Sequence, residues 1–456
     1  MSQSWPLSQK ANKSSGVCSV CHQTRQLHLG NGHVHRHGPR DRPCPGSDKL
    51  PLAVNNSPSS VPEIADAAAE CAETASVSQL TQSTNSQSGF TWTPINFSLV
   101  RRIPQAARVS CTSHLASILR EVVAHPDDPA FWHTLFNWGG LILSPPKRGG
   151  KRHNLATVIK NRISSFCPTD LPTSAFSNAS DRRNITDSSL LAQAVAAKLE
   201  EGNLKAAVRI IASDETPALP SIDSVTKLQA KHPTLTLRKD DIPDPSDLPS
   251  LSVDENSVRK AILSFPPGST GGPDGLRPQH LKDLLQCRDS GVDFLSALTA
   301  FVNVVLAGRC PSAVTPFFFG GRLLALNKKD GGIRPIAIGM TLRRLVSKCA
   351  ATIGSNQLAD WLSPHQLGVG APGGCEAAVH AARRYLEAMP PGHVVAKLDF
   401  RNAFNSIHRR DLLMAAGARL PQVYSYCFCA YAQPSFLFHG PFRILSQEGI
   451  QQGDPL

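Results

Sequence analysis

Two groups of residues in this 456-residue chain are of types that do chemistry. The first is Asp399, which follows the apolar run Val394-Val395-Ala396-Lys397-Leu398 and precedes Phe404 by five positions. The run predicts a short buried strand, Val394 to Leu398, that ends on the carboxylate, with Lys397 turned to the opposite side. Hard cations such as Mg2+ take carboxylate oxygens, and a strand end holds one rigidly. An Asp after an apolar run is more often a turn or helix-capping residue, so its neighbours decide the reading.

The second group is a Cys/His cluster at 16–47. Cys18-Ser19-Val20-Cys21 is a C-x2-C knuckle, and His33, His35, His37 and Cys44 follow it. Zn2+ takes four such ligands in a tetrahedron, and a module too small for a core needs the metal to fold. Cys18, Cys21, His37 and Cys44 form the preferred set. Spacing also permits Cys18, Cys21, His33 and His37, and unligated flexible Cys and His is the third reading. Arg25, Arg36, Arg40 and Arg42 lie in the same stretch and suit contact with phosphate.

The elements that position these groups are legible in part. Residues 48–95 are rich in Ser, Asn, Thr, Gln and Pro and read as a disordered linker. Residues 96–240 read as a helical basic region, with helical apolar spacing at Ser113 to Val123 and again at Leu190 to Leu199. From Pro129 to Thr169 there is no Asp or Glu, while Lys147, Arg148, Lys151, Arg152, Lys160 and Arg162 all fall there. Trp132, Phe136 and Trp138 beside them read as helix packing. The Pro/Asp-rich stretch Asp241 to Pro249 is a plausible boundary.

Beyond it the pattern is mixed α/β. Ser252-Val253-Asp254-Glu255 suggests a capping box before the stripe Val258, Ala261, Ile262 and Phe265. Arg322–Leu326 and Ile333–Ile338 read as a hairpin across Asp330-Gly331-Gly332. Helices are expected at Glu376–Met389 and Asp411–Ala418. A second hairpin is expected from Ser435–Phe438 and Phe442–Ser446 across His439-Gly440.

Composition narrows the partners. The hydrophobic fraction of 41% allows a buried core. A formal charge of +12 and a pI of about 9.3 favour a polyanion, above all nucleic acid. Met1 to Ser15 lacks an apolar signal core, and the apolar run Ala297 to Ala307 is too short to span a bilayer. A soluble intracellular protein with no membrane partner is expected, in nucleus or cytoplasm. The Cys residues at 287, 349, 427 and 429 sit in apolar segments and read as buried reduced thiols.

Five stretches from 250 onward together resemble the reverse transcriptases of non-long-terminal-repeat (LINE-like) retrotransposons, in that family's order. Gly271-Gly272-Pro273-Asp274-Gly275-Leu276 resembles their upstream Gly-Pro-Asp-Gly element, and Lys328 to Ile336 resembles the fingers hairpin. Gln366-Leu367-Gly368-Val369-Gly370 with the helix after it resembles the segment before motif A. Lys397-Leu398-Asp399-Phe400-Arg401-Asn402-Ala403-Phe404-Asn405-Ser406-Ile407 resembles motif A, and Gly449 to Leu456 the start of motif B. Cys18 to Ser47 is similar to the Cys-Cys-His-Cys fingers at the N-termini of these elements. Singly each is weak: Lys328-Lys329 is also an ordinary solvated turn, and Phe404 also a core residue.

The resemblance implies a mixed α+β chain with an N-terminal zinc finger at 16–47, a helical middle region, and right-hand polymerase fingers with part of a palm at 250–456. It implies RNA-directed DNA polymerase chemistry on an RNA template and DNA primer, with dNTPs and Mg2+. Asp399 would bind both metals, helped by the Phe400 carbonyl. Phe404 would block a ribose 2′ hydroxyl, which argues against an RNA-directed RNA polymerase. Lys328 and Arg334 would reach the triphosphate. Gln452 and Gly453 would pack on the nascent base pair and template.

One departure bears on activity. The family's other catalytic carboxylates form an Asp-Asp pair in motif C, beyond motif B. Here Asp127-Asp128 and Asp240-Asp241 lie upstream instead. The expectation is therefore that this polypeptide alone does not polymerise. The alternative is a non-catalytic nucleic-acid-binding relic or domesticated protein.

Overall fold

The structure, a computed structural model, describes residues 15–18, 20, 24–26, 44–45, 90–146, 154–170, 187–213 and 216–455. The chain divides into two compact units, Met1–Thr74 and Ala75–Leu456. In the first, strands β1 (Ser15–Val17) and β2 (Thr24–Gln26) pair antiparallel, Val17 opposite Thr24. The chain between them carries the C-x2-C knuckle, with Cys18 directly after β1.

The second unit is mixed α+β. It opens on α1 (Gln105–Ala124), α2 (Pro129–Ile142) and α3 (Leu155–Ser164). In α1 the buried Ala107, Cys111, Leu115, Leu119 and Val122 recur at helical spacing. Asp128 caps α2 by accepting from the Ala130 N–H, with Pro129 at the first helical position. Trp132 then meets Phe301 and Phe318 at ring distances of 5.6 and 5.3 Å. Next come α4 (Asp187–Glu200), α5 (Leu204–Ala212), β3 (Thr216–Ala218) and α6 (Ile222–Gln229).

After the Pro/Asp-rich connection follow α7 (Glu255–Leu263), α8 (Pro278–Leu285), α9 (Arg288–Leu306) and α10 (Thr315–Phe318). The N-cap of α7 is Asp254, which accepts from the Ser257 N–H at 2.8 Å. The expected box centred on Ser252 does not form, because Asp254 is the residue that stands where the first orphan N–H groups point. Val258, Ile262 and Phe265 are buried as the stripe required. The apolar α9 satisfies the length and composition of a membrane span, yet more than half of it is buried inside the unit. It packs along α1. One continuous core runs from Trp92 to Ala432. Helices on both sides of the 241–249 connection therefore share it.

The sheet is built around β4 (Gly321–Asn327). Strand β5 (Ile333–Gly339) pairs antiparallel along its full length, Asn327 opposite Ile333. On the other edge, β3 meets one end of β4 antiparallel, and a later strand meets the other end parallel. The chain reaches that strand through α11 (Thr341–Leu362), α12 (Gly374–Glu387), α13 (Ala403–Ser406), α14 (Arg409–Arg419) and α15 (Pro421–Tyr431). There β6 (Ser435–His439) and β7 (Phe442–Ser446) form the second expected hairpin. Val225 and Leu228 of α6 pack with Leu323, Ala325, Ile333, Ala337, Leu437 and Ile444 of the sheet in a second, smaller core.

The expected strand at Val394–Leu398 is absent. Those residues lie in no helix or strand, and among the described residues no backbone hydrogen bond reaches Val394 to Phe400. Val394 is 83% and Leu398 79% exposed. A strand exists by pairing, and no described strand runs beside this run. Its apolar side chains have nothing to pack on, so the expected burial fails with the expected strand. Helix α12 leaves Val379, Tyr385 and Leu386 exposed in the same way.

Candidate functional site

The β4–β5 turn is closed by two backbone bonds, Lys328 N–H to Gly332 O at 2.8 Å and Gly331 N–H to Lys328 O at 3.1 Å. The Asp330 carboxylate accepts from the Gly332 N–H, and Gly331 adopts a left-handed φ of 76°. This geometry leaves Lys328 exposed at the tip. Arg334, opposite Leu326, stands half-buried on the face of β5 that alternates with the buried Ile333, Pro335 and Ala337.

The stretch Gly449 to Gly453 docks on that hairpin and on the turn after Asp399. Ala337 N–H donates to Gln452 O at 2.9 Å. At Gly453, φ is 112° and a Cβ would stand 2.7 Å from Ala337 O, so the close backbone approach expected of this glycine is made to the hairpin itself. On the other side, Gly449 N–H donates to Ile407 O at 2.9 Å and Ile450 N–H to Phe404 O at 2.7 Å. A Cβ at Gly449 would lie 2.2 Å from Phe404 O. Gln452 is half-buried and Gly453 exposed.

Asn402 turns the exposed run into α13 with a left-handed φ of 56°, a conformation Asn tolerates better than most residues. Its side chain donates to Lys231 O at 2.9 Å, and the buried Asn405 donates to the same oxygen at 3.0 Å. The Phe404 ring is 51% exposed. The structure thus brings together the hairpin, the Phe404 turn and Gln452–Gly453. It does not bring Asp399 or Phe400 to them. Both are exposed, and no hydrogen bond or ion pair of the Asp399 carboxylate is made among the described residues.

Sequence reasoning missed the residues that fasten Gly449–Gly453. Arg343 of α11 and Arg409 of α14 are both fully buried. Arg343 donates to Gln451 Oε1 at 2.6 Å and to Phe319 O at 2.7 Å, and it forms an ion pair with Asp454. Arg409 donates through Nε to Gly449 O at 3.1 Å and through Nη2 to Ser446 O at 3.2 Å. Burial lowers the Arg409 pKa to about 10, partly offset by Tyr431 and Glu448. The signal available was an Arg amid Thr341-Leu342 and Leu345-Val346, a charge on an apolar face.

The Gly271–Leu276 loop packs beside the start of α11, where a Cβ on Gly272 would meet Gly339 O at 2.5 Å. Asp274 is buried there with Oδ1 lacking a hydrogen bond. Burial raises its pKa to about 7 against the pull of Arg344 and Arg322.

As to metals, no group of three or more His, Cys, Asp or Glu clusters for an ion among the described residues. Asp399 alone offers Mg2+ one carboxylate. In the first unit the Cys18 and Cys44 sulfurs lie 3.9 Å apart. Two thiolates on one tetrahedral zinc, each about 2.3 Å from it, stand about 3.8 Å apart, so this pair fits zinc. Cys21, His33 and His37 lie outside the described residues, as does the basic loop 147–153.

Compared with known proteins, the chain matches no protein-family model, and no curated protein matches it.

Proposed function

We propose that the second unit is the nucleic-acid-holding part of an RNA-directed DNA polymerase, binding an RNA template, a DNA primer and dNTP. One observation carries this reading. Two stretches that resemble separate polymerase motifs meet at Phe404 and Gly449–Gly453 through backbone hydrogen bonds, and the strand that ends the third, at Ala337, bonds to Gln452.

Asp399 stands apart from that junction. Such polymerases use magnesium to activate the primer hydroxyl and stabilise the leaving pyrophosphate. A single exposed carboxylate cannot hold a metal pair, so hybrid binding without synthesis is the expected behaviour of this chain. The placement of Asp399 equally favours the second reading, a nucleic-acid-binding protein without catalysis. In the first unit, the Cys18–Cys44 approach favours Cys18, Cys21, His37 and Cys44 as zinc ligands over the set that ends on His33 and His37.

The test is fluorescence anisotropy of a labelled RNA–DNA hybrid with a recessed DNA 3′ end. The chain binds it more tightly than an unrelated polyanion of equal charge, and affinity falls with salt. Added dNTP tightens binding more than the ribonucleotide does, and Phe404→Ala removes that preference. Equal affinity for heparin and hybrid sinks the polymerase reading. Template-directed primer extension by the same sample would overturn the expected inactivity.

A further inference from the structure

We propose that Arg343 and Arg409 are positioning residues that hold Gln452 and Gly453 in register with the β4–β5 hairpin. The inference rests on the function proposed above only for what those two residues touch. From Gln447 to Pro455 the chain has no helix or strand, yet Glu448, Gly449 and Gln451 are buried. Such a segment keeps one shape only if other elements supply its hydrogen bonds.

Two guanidinium groups from different helices hold it, Arg409 through backbone carbonyls and Arg343 through the side chains of Gln451 and Asp454. Arg409 takes the upstream end. Besides Gly449 O and Ser446 O, it reaches Ser446 Oγ at 3.1 Å and Gln433 O at 3.0 Å. Its backbone N–H donates to Glu448 Oε2 at 2.8 Å, while Thr236 donates to Glu448 Oε1 through N–H and hydroxyl. Arg343 takes the downstream end through Gln451 and Asp454. Gln451 in turn donates to Phe319 O at 2.8 Å and Ser435 Oγ at 3.0 Å. Gln452 lies between the two anchors, and Gly453 is the exposed residue of the stretch.

Stability alone does not call for this arrangement. A buried ion pair is commonly no better for folding than apolar residues of the same volume. A planar fork with fixed directions does what apolar packing does not, since it sets the register of a backbone. Arg343 follows β5 in the chain by four residues from Gly339, so the hairpin and Gln452 are set by one rigid piece. Ala337 N–H to Gln452 O is a second link in the same piece.

The experiment compares the wild-type chain with Arg343→Lys and with the double variant Arg343→Met/Asp454→Leu, which keeps an apolar pair in the space of the ionic one. Thermal melting, amide exchange over residues 449–455 and hybrid affinity are measured on each. The double variant melts near wild type, exchanges about tenfold faster at Ile450 and Asp454, whose N–H groups donate to Phe404 O and Gln451 O, and loses hybrid affinity about tenfold. Arg343→Lys, which keeps the charge and loses the fork, recovers only part of either effect. Wild-type exchange at wild-type melting overturns the proposal. Should the double variant melt far lower, Gln451→Met replaces it with the same expected exchange and the same overturning result. If the wild type does not bind the hybrid, the polymerase reading fails, and amide exchange still decides the positioning role.

Discussion

Residues 391–401 and 403–454 are neighbours in sequence and opposites in structure. The first stretch exposes Val394, Val395, Leu398 and Phe400, and beyond the His393 N–H to Pro390 O bond it makes no backbone hydrogen bond to described partners. The second carries three helices and a hairpin, and two buried guanidinium groups and two asparagine side chains hold the loops between and after them. The boundary is Asn402, whose left-handed φ separates the Asp399 side from the Phe404 side. The lesson is that the two halves of one stretch need not share a source of order. The Phe404 half is fastened by side chains from several helices, and the Asp399 half only at His393, by Tyr385 and Pro390.

The sharpest way to break this contrast is to remove a fastening. Arg409→Met strips several buried carbonyls of their donor and leaves Glu448 without its nearest cation. It is expected to cost about 3–5 kcal/mol in urea unfolding. Lys397→Met in the exposed stretch is expected to cost nothing measurable. A cost below 1 kcal/mol at Arg409 would erase the distinction.

Two glycines sharpen it at the same backbone conformation. Gly449 has φ of 65° and Gly392 φ of 84°. A Cβ on Gly449 collides with Phe404 O, whereas one on Gly392 meets nothing within 4 Å. Gly449→Ala is expected to lose about 2–3 kcal/mol and Gly392→Ala about 1 kcal/mol. Equal losses would mean that conformation, not docking, sets both.

Acid offers a third comparison. Burial alone would raise the Glu448 pKa, but hydrogen bonds from Thr236 and the Arg409 N–H hold it below the ordinary 4.5. A carboxylate with a depressed folded pKa stabilises fully above its unfolded value, and that contribution is lost as pH falls through the folded one. The wild type therefore loses stability on going from about pH 6 to about pH 3.5, and Glu448→Gln flattens that decline. The smallest effect is expected at Leu398→Ser, within about 0.5 kcal/mol of wild type, because nothing covers the side chain.

What the sequence reveals follows the same division. The Asp330-Gly331-Gly332 and His439-Gly440 turns are local, so both hairpins are legible from residue type alone. Helical periodicity predicts α1, α4, α7, α12 and α14. The run Val394–Leu398 has strand composition, but composition does not supply a pairing partner, and that is where the reading failed. Arg343 and Arg409 escaped notice for a different reason. A charge within a helix is ordinarily solvated, and only the three-dimensional neighbourhood reveals a buried one. Among the proposed site residues, Lys328, Phe404, Gln452 and Gly453 owe their placement to backbone geometry that turn chemistry and glycine announce. The 3.9 Å approach of the Cys18 and Cys44 sulfurs is a three-dimensional fact that spacing does not supply.

The bare run from Val394 to Phe400 also bears on the life of the chain after synthesis. Exposed apolar side chains on an unpaired backbone are what chaperones grip and what strand edges pair with. The exposed backbone around Lys397 is also the kind of site where a protease cuts first.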